Sequence, residues 1–133
     1  MKSLPRLIDL PKIIDQRGNL SFVESEKQIP FSIKRVYTIY DVPGGQYRPG
    51  HAYKSNEEFI IALSGSFNVV VKTAEGEQVF HMNRSYYGLY LPAFAWRSLD
   101  NFSTNSVCLV LASEPYNAEN YIRDESEFEL LTN

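Results

Sequence analysis

Side chains able to move a proton on a bound anion are concentrated in two short stretches of the sequence. His51 and Tyr53 lie in the run GHAYK, at residues 50–54, and Arg97 lies in the run AWRSL, at residues 95–99. Histidine has an ordinary pKa close to neutrality, which suits a general base. Tyrosine, with an ordinary pKa of about 10, is a better proton donor than base at neutral pH. Arginine binds phosphate oxygens through paired hydrogen bonds, so the three together indicate acid–base chemistry on an anionic substrate.

The spacing around His51 resembles the first motif of the cupins, G-x5-H-x-H-x3,4-E-x6-G. The positions that keep the motif residue are Gly45, His51, Glu58 and Gly65. Tyr53 stands where the motif has its second histidine. If this stretch is a strand, Tyr53 and His51 point to the same face, because side chains alternate along a strand.

A second stretch resembles the other cupin motif, which ends in P-x-G-x2-H-x3-N. Pro92 and Asn101 keep their spacing, whereas Phe94 replaces the glycine and Arg97 replaces the histidine. Arg97 therefore occupies the inward position of a metal ligand. Its neighbour Trp96 is expected to face the opposite side of the strand.

The replaced positions are those that hold the ion in metal-binding cupins. An arginine side chain stays protonated and has no lone pair to give, so Arg97 would repel a cation. His51 and Glu58 alone make a poor transition-metal site, because such sites usually have three or more protein ligands. The sequence therefore predicts a pocket with no metal and no cofactor.

Longer stretches of the chain resemble the sugar nucleotide 3,4-ketoisomerases, which act on dTDP-4-keto-6-deoxyglucose. The stretches are RGNLSF (17–22), IPFSIKRVY (29–37), YDVPGG (40–45), FIIALSGSF (59–67), YGLYLP (87–92) and LDNFS (99–103). The resemblance implies a small jelly-roll barrel and a homodimer that exchanges N-terminal strands. It also implies a dTDP-linked or UDP-linked keto sugar as substrate, and a place in making 3-amino-3,6-dideoxy sugars for surface polysaccharide such as the O-antigen of lipopolysaccharide.

The resemblance also assigns residues to roles in the reaction. A 3,4-ketoisomerase removes the C3 proton next to the C4 ketone, forms an enediolate and reprotonates C4. The general base of the family maps onto His51. The resemblance places Tyr37 in the pocket, where it would donate to O4 or shuttle a proton, and makes Arg17 a substrate contact. The family usually reads Gly-His-Ala-His-Lys where this chain has Tyr53.

The remaining candidates rest on their positions. Arg48 precedes His51 by three residues, and Arg97 holds a ligand position of the second motif. Both are expected to bind the diphosphate or the sugar, with Tyr53 beside them. Glu58 is also counted among the substrate-binding residues, and it is expected either to orient His51 through a hydrogen bond or to cap a strand end.

Three other functions fit parts of this pattern. A sugar 3,5-epimerase also uses a metal-free barrel with a histidine base, but it pairs the histidine with an aspartate that is not found here at matching spacing. A non-catalytic cupin that binds sugars would tolerate the loss of the second histidine. A metal-dependent dioxygenase is disfavoured by the broken ligand set.

The elements that must position these residues are short strands. Runs rich in β-branched and aromatic residues, bounded by turn signals, lie at 21–23, 34–40, 58–63, 67–72, 79–82, 86–91, 95–99 and 106–112. Their spacing is typical of all-β barrels. Only residues 118–131 have a helical pattern. We therefore expect an all-β fold, a small cupin or jelly-roll barrel with a short C-terminal helical tail, in one domain over residues 1–133.

Composition excludes several classes of partner. The net charge is −3, whereas a domain that binds nucleic acid is usually basic. No run of apolar residues is long enough to span a membrane. The lone Cys108 and the lack of a leader pattern predict a cytoplasmic protein. Aromatic residues make up 14% of the chain, which fits strands and pocket walls.

Overall fold

Two five-stranded sheets enclose the core in the computed structural model, which describes residues 4–132. The strands are β1 (Arg6–Asp9), β2 (Lys12–Ile13), β3 (Leu20–Ser21), β4 (Arg35–Tyr40), β5 (Arg48–Tyr53), β6 (Glu58–Ser64), β7 (Phe67–Thr73), β8 (Gly76–Met82), β9 (Tyr87–Leu91), β10 (Trp96–Asp100), β11 (Val107–Ala112) and β12 (Tyr121–Ile122). The first sheet has the order β1-β9-β6-β11-β4 and the second β12-β5-β10-β7-β8, while β2 pairs with β3. One helix, α1 (Glu125–Thr132), follows β12. The predicted all-β class with a C-terminal helix is confirmed.

The core lies between the two sheets and follows from strand alternation. Along β7, Phe67, Val69 and Val71 are buried while the residues between them are partly exposed. They pack against apolar side chains of the first sheet, such as Ile60 on β6 and Val110 on β11. Burial of this apolar surface is the main stabilising contribution to the sandwich.

The first sheet is covered on its outer face as well. Ile29 and Phe31, from the segment between β3 and β4, pack there against Phe59 and Tyr90. As a result, residues 58–62 of β6 are all buried, whichever face they point to. Glu58 thus stands on a strand that is closed off from water on both sides.

Strand β5 carries His51 but was not among the predicted strands. Its sequence RPGHAY contains a proline and a glycine, which both weaken a strand prediction. The glycine has a packing reason, because a Cβ atom at Gly50 would lie 2.3 Å from Nε1 of Trp96. Trp96 lies across the outside of β5, whereas Arg97 points inward and is buried. The predicted opposite orientation of these two side chains is confirmed.

The C-terminal tail is helical over only part of the predicted range of residues 118–131. Ala118–Asn120 form a single 3-10 turn, Tyr121–Ile122 form β12, and the α-helix begins at Glu125. The interruption has a tertiary cause, since β12 pairs with β5 in the register Tyr121 opposite Tyr53. Non-local strand pairing overrides a local helical pattern here.

The N-terminal strand completes the first sheet from within the same chain. β1 pairs with β9, with Arg6 opposite Tyr90, so the single chain needs no second copy to fill this edge. The terminal parts of the predicted domain, residues 1–3 and 133, lie outside the described residues. Within residues 4–132 no helix combines the length and the apolar character that a bilayer crossing requires.

The tail is held mainly by one aromatic side chain, and this gives a stability prediction. Phe128 is 1% exposed and packs on Trp96 with ring centroids 5.5 Å apart, near Ala52 and Ile122. Replacing it with alanine should lower the free energy of unfolding by about 3–5 kcal/mol, measured by urea denaturation. The matched control is Leu130→Ala, because Leu130 is 82% exposed on the same helix and should change stability by less than about 0.5 kcal/mol. Equal effects of the two changes would contradict the assigned packing.

Candidate active site

A cavity of about 380 Å³ lies between the sheets and collects most of the predicted site residues. Six of them line it: Tyr37, Arg48, His51, Tyr53, Glu58 and Arg97. Tyr37 and Glu58 come from β4 and β6 of the first sheet, and the others come from β5 and β10 of the second. His51 and Arg97 are directly paired across β5 and β10. The cupin spacing therefore predicted a real spatial cluster.

A buried ion pair lies at the centre of this cavity. Arg97 donates from Nη1 to Oε1 of Glu58 at 2.6 Å, and both side chains are 1% exposed. The other carboxylate oxygen, Oε2, accepts from the hydroxyl of Tyr37 at 2.8 Å and from Nδ2 of Asn56 at 3.3 Å. The expected hydrogen bond from Glu58 to His51 is wrong: the carboxylate is bound by Arg97, Tyr37 and Asn56, and His51 hydrogen-bonds to the backbone of Pro49 instead. Glu58 does not cap a strand end either, since its carboxylate points into the cavity.

His51 is held as a neutral imidazole with one nitrogen left free. It hydrogen-bonds to the backbone of Pro49, and because proline has no N–H, the carbonyl accepts from the ring. Nε2 is buried without a partner, so the donor is Nδ1 and Nε2 keeps its lone pair. Burial, reinforced by the charge of Arg97, lowers the pKa of His51 to about 3. A neutral imidazole with an open Nε2 is the form that a general base needs.

Tyrosine rings surround this histidine. The ring of Tyr53 meets the ring of His51 edge-on with centroids 5.0 Å apart, and Tyr121 lies 5.4 Å away. Burial and the nearby carboxylate of Glu58 raise the pKa values of Tyr37 and Tyr53 above the ordinary range. Both hydroxyls therefore stay protonated at neutral pH. The guanidinium of Arg97 also lies over the ring of Tyr53, 5.0 Å from its centroid.

Arg17 is the one predicted site residue that lies outside the cavity. It is on the exposed turn between β2 and β3, where its side chain is 90% exposed and pairs with Asp15 at 2.7 Å. Within a single chain, this exposed position does not provide the substrate contact that the family resemblance implies for Arg17.

Three cavity residues with charged or hydroxyl-bearing side chains were missed by the sequence analysis. Arg35 lies two residues before Tyr37 on β4 and so shares its inward face, a signal that strand alternation could have given. Tyr121 and Arg123 come from β12 and the segment after it, and the guanidinium of Arg123 lies 4.1 Å from the centroid of the Tyr121 ring. The sequence predicts a helix over this segment, and that prediction gives no reason to place these two side chains in the cavity.

The cavity carries a net positive charge although the chain is acidic. Its lining includes four guanidinium groups (Arg35, Arg48, Arg97 and Arg123) and one carboxylate (Glu58), which gives +3 with His51 neutral. A larger cavity of about 780 Å³ near the end of α1 has Glu57 and Glu75 as the ionisable groups of its described lining. A diphosphate would be repelled there and attracted to the first cavity.

The donor set of the cavity does not fit a transition metal. Within residues 4–132 no group of three or more His, Cys, Asp or Glu side chains is placed to hold a metal ion. Tyr53 and Arg97 stand at two of the three positions where a metal-binding cupin has histidine, and the carboxylate of Glu58 is paired with a guanidinium. The predicted absence of a metal stays a prediction with this geometry in its favour.

Comparison with known proteins identifies the family. A family model described as "FdtA: WxcM-like, C-terminal" matches residues 3–133. The chain is 39% identical over 123 residues to TDP-4-oxo-6-deoxy-alpha-D-glucose-3,4-oxoisomerase of Aneurinibacillus thermoaerophilus, covering 92% of this chain and 88% of that protein. The chain belongs to the sugar nucleotide 3,4-ketoisomerase family. The predictions of this family and of an isomerase are confirmed.

Solved structures agree with the family and with the fold. The ketoisomerase chain matches the H51N mutant of the 3,4-ketoisomerase QdtA from Thermoanaerobacterium thermosaccharolyticum, in complex with TDP-4-keto-6-deoxyglucose, at a TM-score of 0.94 and 33% identity over 99% of this chain and 96% of that chain. It also matches dTDP-4-dehydrorhamnose 3,5-epimerase from Bacillus anthracis at a TM-score of 0.76 and 14% identity, over 88% and 76% of the two chains. This second likeness shows the fold alone, and it confirms the predicted cupin-like barrel.

The protonation state of His51 in this ketoisomerase can be measured directly. With its pKa lowered to about 3, the imidazole should stay neutral with the proton on Nδ1 from about pH 8 down to about pH 5, where a free histidine is already charged. Nitrogen-15 NMR of the ligand-free protein, with signals assigned by comparison with His51→Asn, reports both the charge and the tautomer. A protonation midpoint at or above the ordinary histidine pKa would contradict the assigned environment.

Proposed function

We propose that this protein moves the keto group of dTDP-4-keto-6-deoxyglucose from C4 to C3, with His51 as the general base. The observation that carries the proposal is the unpartnered, buried Nε2 of a neutral His51 inside a cationic cavity. The relative from Aneurinibacillus thermoaerophilus is named for this reaction, and the structure from Thermoanaerobacterium thermosaccharolyticum holds this keto sugar. A base with a free lone pair beside a charged donor is what enolisation requires.

The reaction then follows in two proton transfers at carbon. Nε2 of His51 takes the C3 proton, the C3–H electron pair forms the C3=C4 double bond, and the carbonyl electrons of C4 move to O4. The guanidinium of Arg97 stabilises the resulting enediolate. His51 then returns its proton to C4, while O3 loses a proton to become the ketone and O4 gains one. Tyr37, which lines the same cavity, is proposed to take the proton from O3 and, as its hydroxyl turns away from Glu58, to deliver a proton to O4.

Arginine side chains at the cavity wall are proposed to hold the diphosphate. Arg48 and Arg123 are both exposed and both line the cavity, so they can meet an anionic group that enters from solvent. Tyr53, where the family usually has histidine, is proposed to contact the sugar as a hydrogen-bond donor. Because the pKa of Tyr53 is raised, its hydroxyl stays protonated at neutral pH and does not act as a second base.

Isotope exchange tests the reaction and its base together. In D₂O the wild-type protein should convert dTDP-4-keto-6-deoxyglucose to a 3-keto product with deuterium at C4, followed by NMR. His51→Asn should reduce turnover by about 100-fold to 10,000-fold and leave dTDP binding, measured by calorimetry, nearly unchanged. Treatment with EDTA should not change the wild-type rate, because the reaction is proposed to use no metal.

Other outcomes of the same experiment would contradict the proposal. Deuterium at C5 would favour a 3,5-epimerase, and no exchange at any carbon would indicate a sugar-binding module without activity. Turnover retained in His51→Asn would remove His51 as the base while leaving the isomerase activity in place.

We further propose the cellular setting that the family resemblance suggests. The chain acts as one domain over residues 1–133 in the cytoplasm. The C3 ketone of its product can condense with an amine, which leads to a 3-amino-3,6-dideoxy sugar for surface polysaccharide. The protein forms a homodimer by exchanging N-terminal strands. In the dimer, β1 of one protomer pairs with β9 of its partner, in the same way as it pairs with β9 of its own chain here. This exchange offers a route by which Arg17 could serve the partner's cavity.

The dimer and the role of Arg17 can be tested together. Sedimentation or light scattering should give twice the chain mass of 15.3 kDa. Arg17→Ala should raise the KM for the sugar nucleotide in the dimer, whereas Arg84→Ala, on an exposed turn between β8 and β9, should not change it. A monomer with full activity would contradict the exchange, and an unchanged KM would exclude Arg17 from the substrate site.

A further inference from the structure

Two donors of cavity residues are buried and left without a partner, Nε of Arg35 and Nη2 of Arg97, and the second belongs to the central ion pair. Nε of Arg97 donates to the carbonyl of Ala95 at 3.1 Å and Nη1 donates to Glu58 at 2.6 Å, but Nη2 has no partner. A buried donor without a partner is costly, so a ligand that supplies an acceptor is favoured at this point. A guanidinium cannot accept a hydrogen bond, which fixes Nη2 as a donor.

An acceptor lies on the other side of Glu58. The hydrogen bond between Tyr37 and Oε2 of Glu58 is 2.8 Å long. In this hydrogen bond the hydroxyl of Tyr37 donates and the carboxylate oxygen of Glu58 accepts. The phenol oxygen then presents lone pairs, and no proton, to the cavity.

Glu58 itself is enclosed by its partners. Oε1 is taken by Arg97, and Oε2 accepts from Tyr37 and Asn56 and lies 3.8 Å from Nη2 of Arg35. With 1% of its side chain exposed, it reaches a bound sugar only through Tyr37 and Arg97. Glu58 is thus a positioning residue rather than the substrate contact that the sequence suggested.

We propose that Glu58 sets the hydrogen-bond polarity of the site: it holds the guanidinium of Arg97, which leaves Nη2 as a free donor, and it accepts the proton of Tyr37, which leaves the phenol oxygen as an acceptor in the resting protein. The ligand that matches is an α-hydroxyketone, with the C4 carbonyl against Arg97 and the C3 hydroxyl donating to Tyr37. The oxygen that gains negative charge on enolisation thereby faces the guanidinium. The assignment of C3 and C4 rests on the proposed function, but the donor–acceptor pattern does not.

Binding to the wild-type protein tests the pattern without any turnover. Fluorine accepts weakly and cannot donate, so dTDP-3-fluoro-3,6-dideoxyglucose should bind about tenfold more weakly than dTDP-6-deoxyglucose, because two acceptors then face each other at Tyr37. In Tyr37→Phe the difference should disappear. Equal affinity of the two ligands for the wild-type protein, or the same tenfold difference in Tyr37→Phe, would overturn the proposal even if the protein catalysed no isomerisation.

Kinetics of Glu58→Gln give the second test. The amide would donate its own N–H to Tyr37 and turn the tyrosine proton toward the cavity, so kcat should fall at least about 100-fold while dTDP affinity stays within about threefold. The loss of kcat in the double variant with Tyr37→Phe should be smaller than the product of the two single losses, because the hydroxyl to be oriented is gone while only the effect on Arg97 remains. Additive losses would overturn the proposal.

The chain offers a matched control next to Glu58. Glu57 also accepts from a tyrosine hydroxyl, that of Tyr90, but this pair lies in the wall of the other cavity. Glu57→Gln should leave kcat unchanged. If Glu58→Gln does not fold, the comparison of the fluoro and hydroxy ligands on the wild-type protein and on Tyr37→Phe still decides the matter.

Discussion

The ion pair between Glu58 and Arg97 is the interaction around which the cavity is arranged. It joins β6 of one sheet to β10 of the other through the interior, with both charges out of contact with water. Removing one partner of such a pair leaves a buried, uncompensated charge and costs about 3–5 kcal/mol. The pair is tolerated because the remaining carboxylate oxygen is also saturated, by Tyr37 and Asn56. Tyr37 and Asn56 are placed by their hydrogen bonds to this pair.

Burial, reinforced by the arginine of this pair, keeps the histidine uncharged. Arg97 on β10 is paired with His51 on the neighbouring strand β5, and its fixed charge opposes protonation of the imidazole. Arginine in this position repels both a metal ion and a proton, so one substitution relative to a metal-binding cupin changes two properties of the cavity. The positive field that remains is local, since the whole chain carries −3. A cleft of one sign on a molecule of the other draws the anionic ligand to the cavity rather than to the surface.

The parts of the site that could be predicted were those encoded by spacing. The positions of His51, Tyr53, Glu58 and Arg97 follow a motif whose intervals reflect strand length, and the structure places all four in one cavity. The pairing of Glu58 could not be predicted, because a motif states which side chains converge but not which atoms meet.

The errors arose where distant segments decide local structure. Strand β5 contains proline and glycine and exists because β10 and β12 pair with it. The predicted helix over residues 118–131 failed at β12 for the same reason, and Tyr121 and Arg123 were missed with it. Arg17 was assigned by resemblance alone, and in the single chain it lies on an exposed turn.

The two-residue strand β12 has a consequence for when the protein can become functional. Tyr121 of this strand and Arg123 just after it line the cavity. Phe128 of the following helix packs against the same edge of the second sheet. Arg35, the first lining residue along the chain, is therefore synthesised long before Arg123, the last one. During translation the barrel can form its core from β4 to β11 while the site stays open on one side. The finished pocket appears only when the carboxyl-terminal segment has left the ribosome and docked.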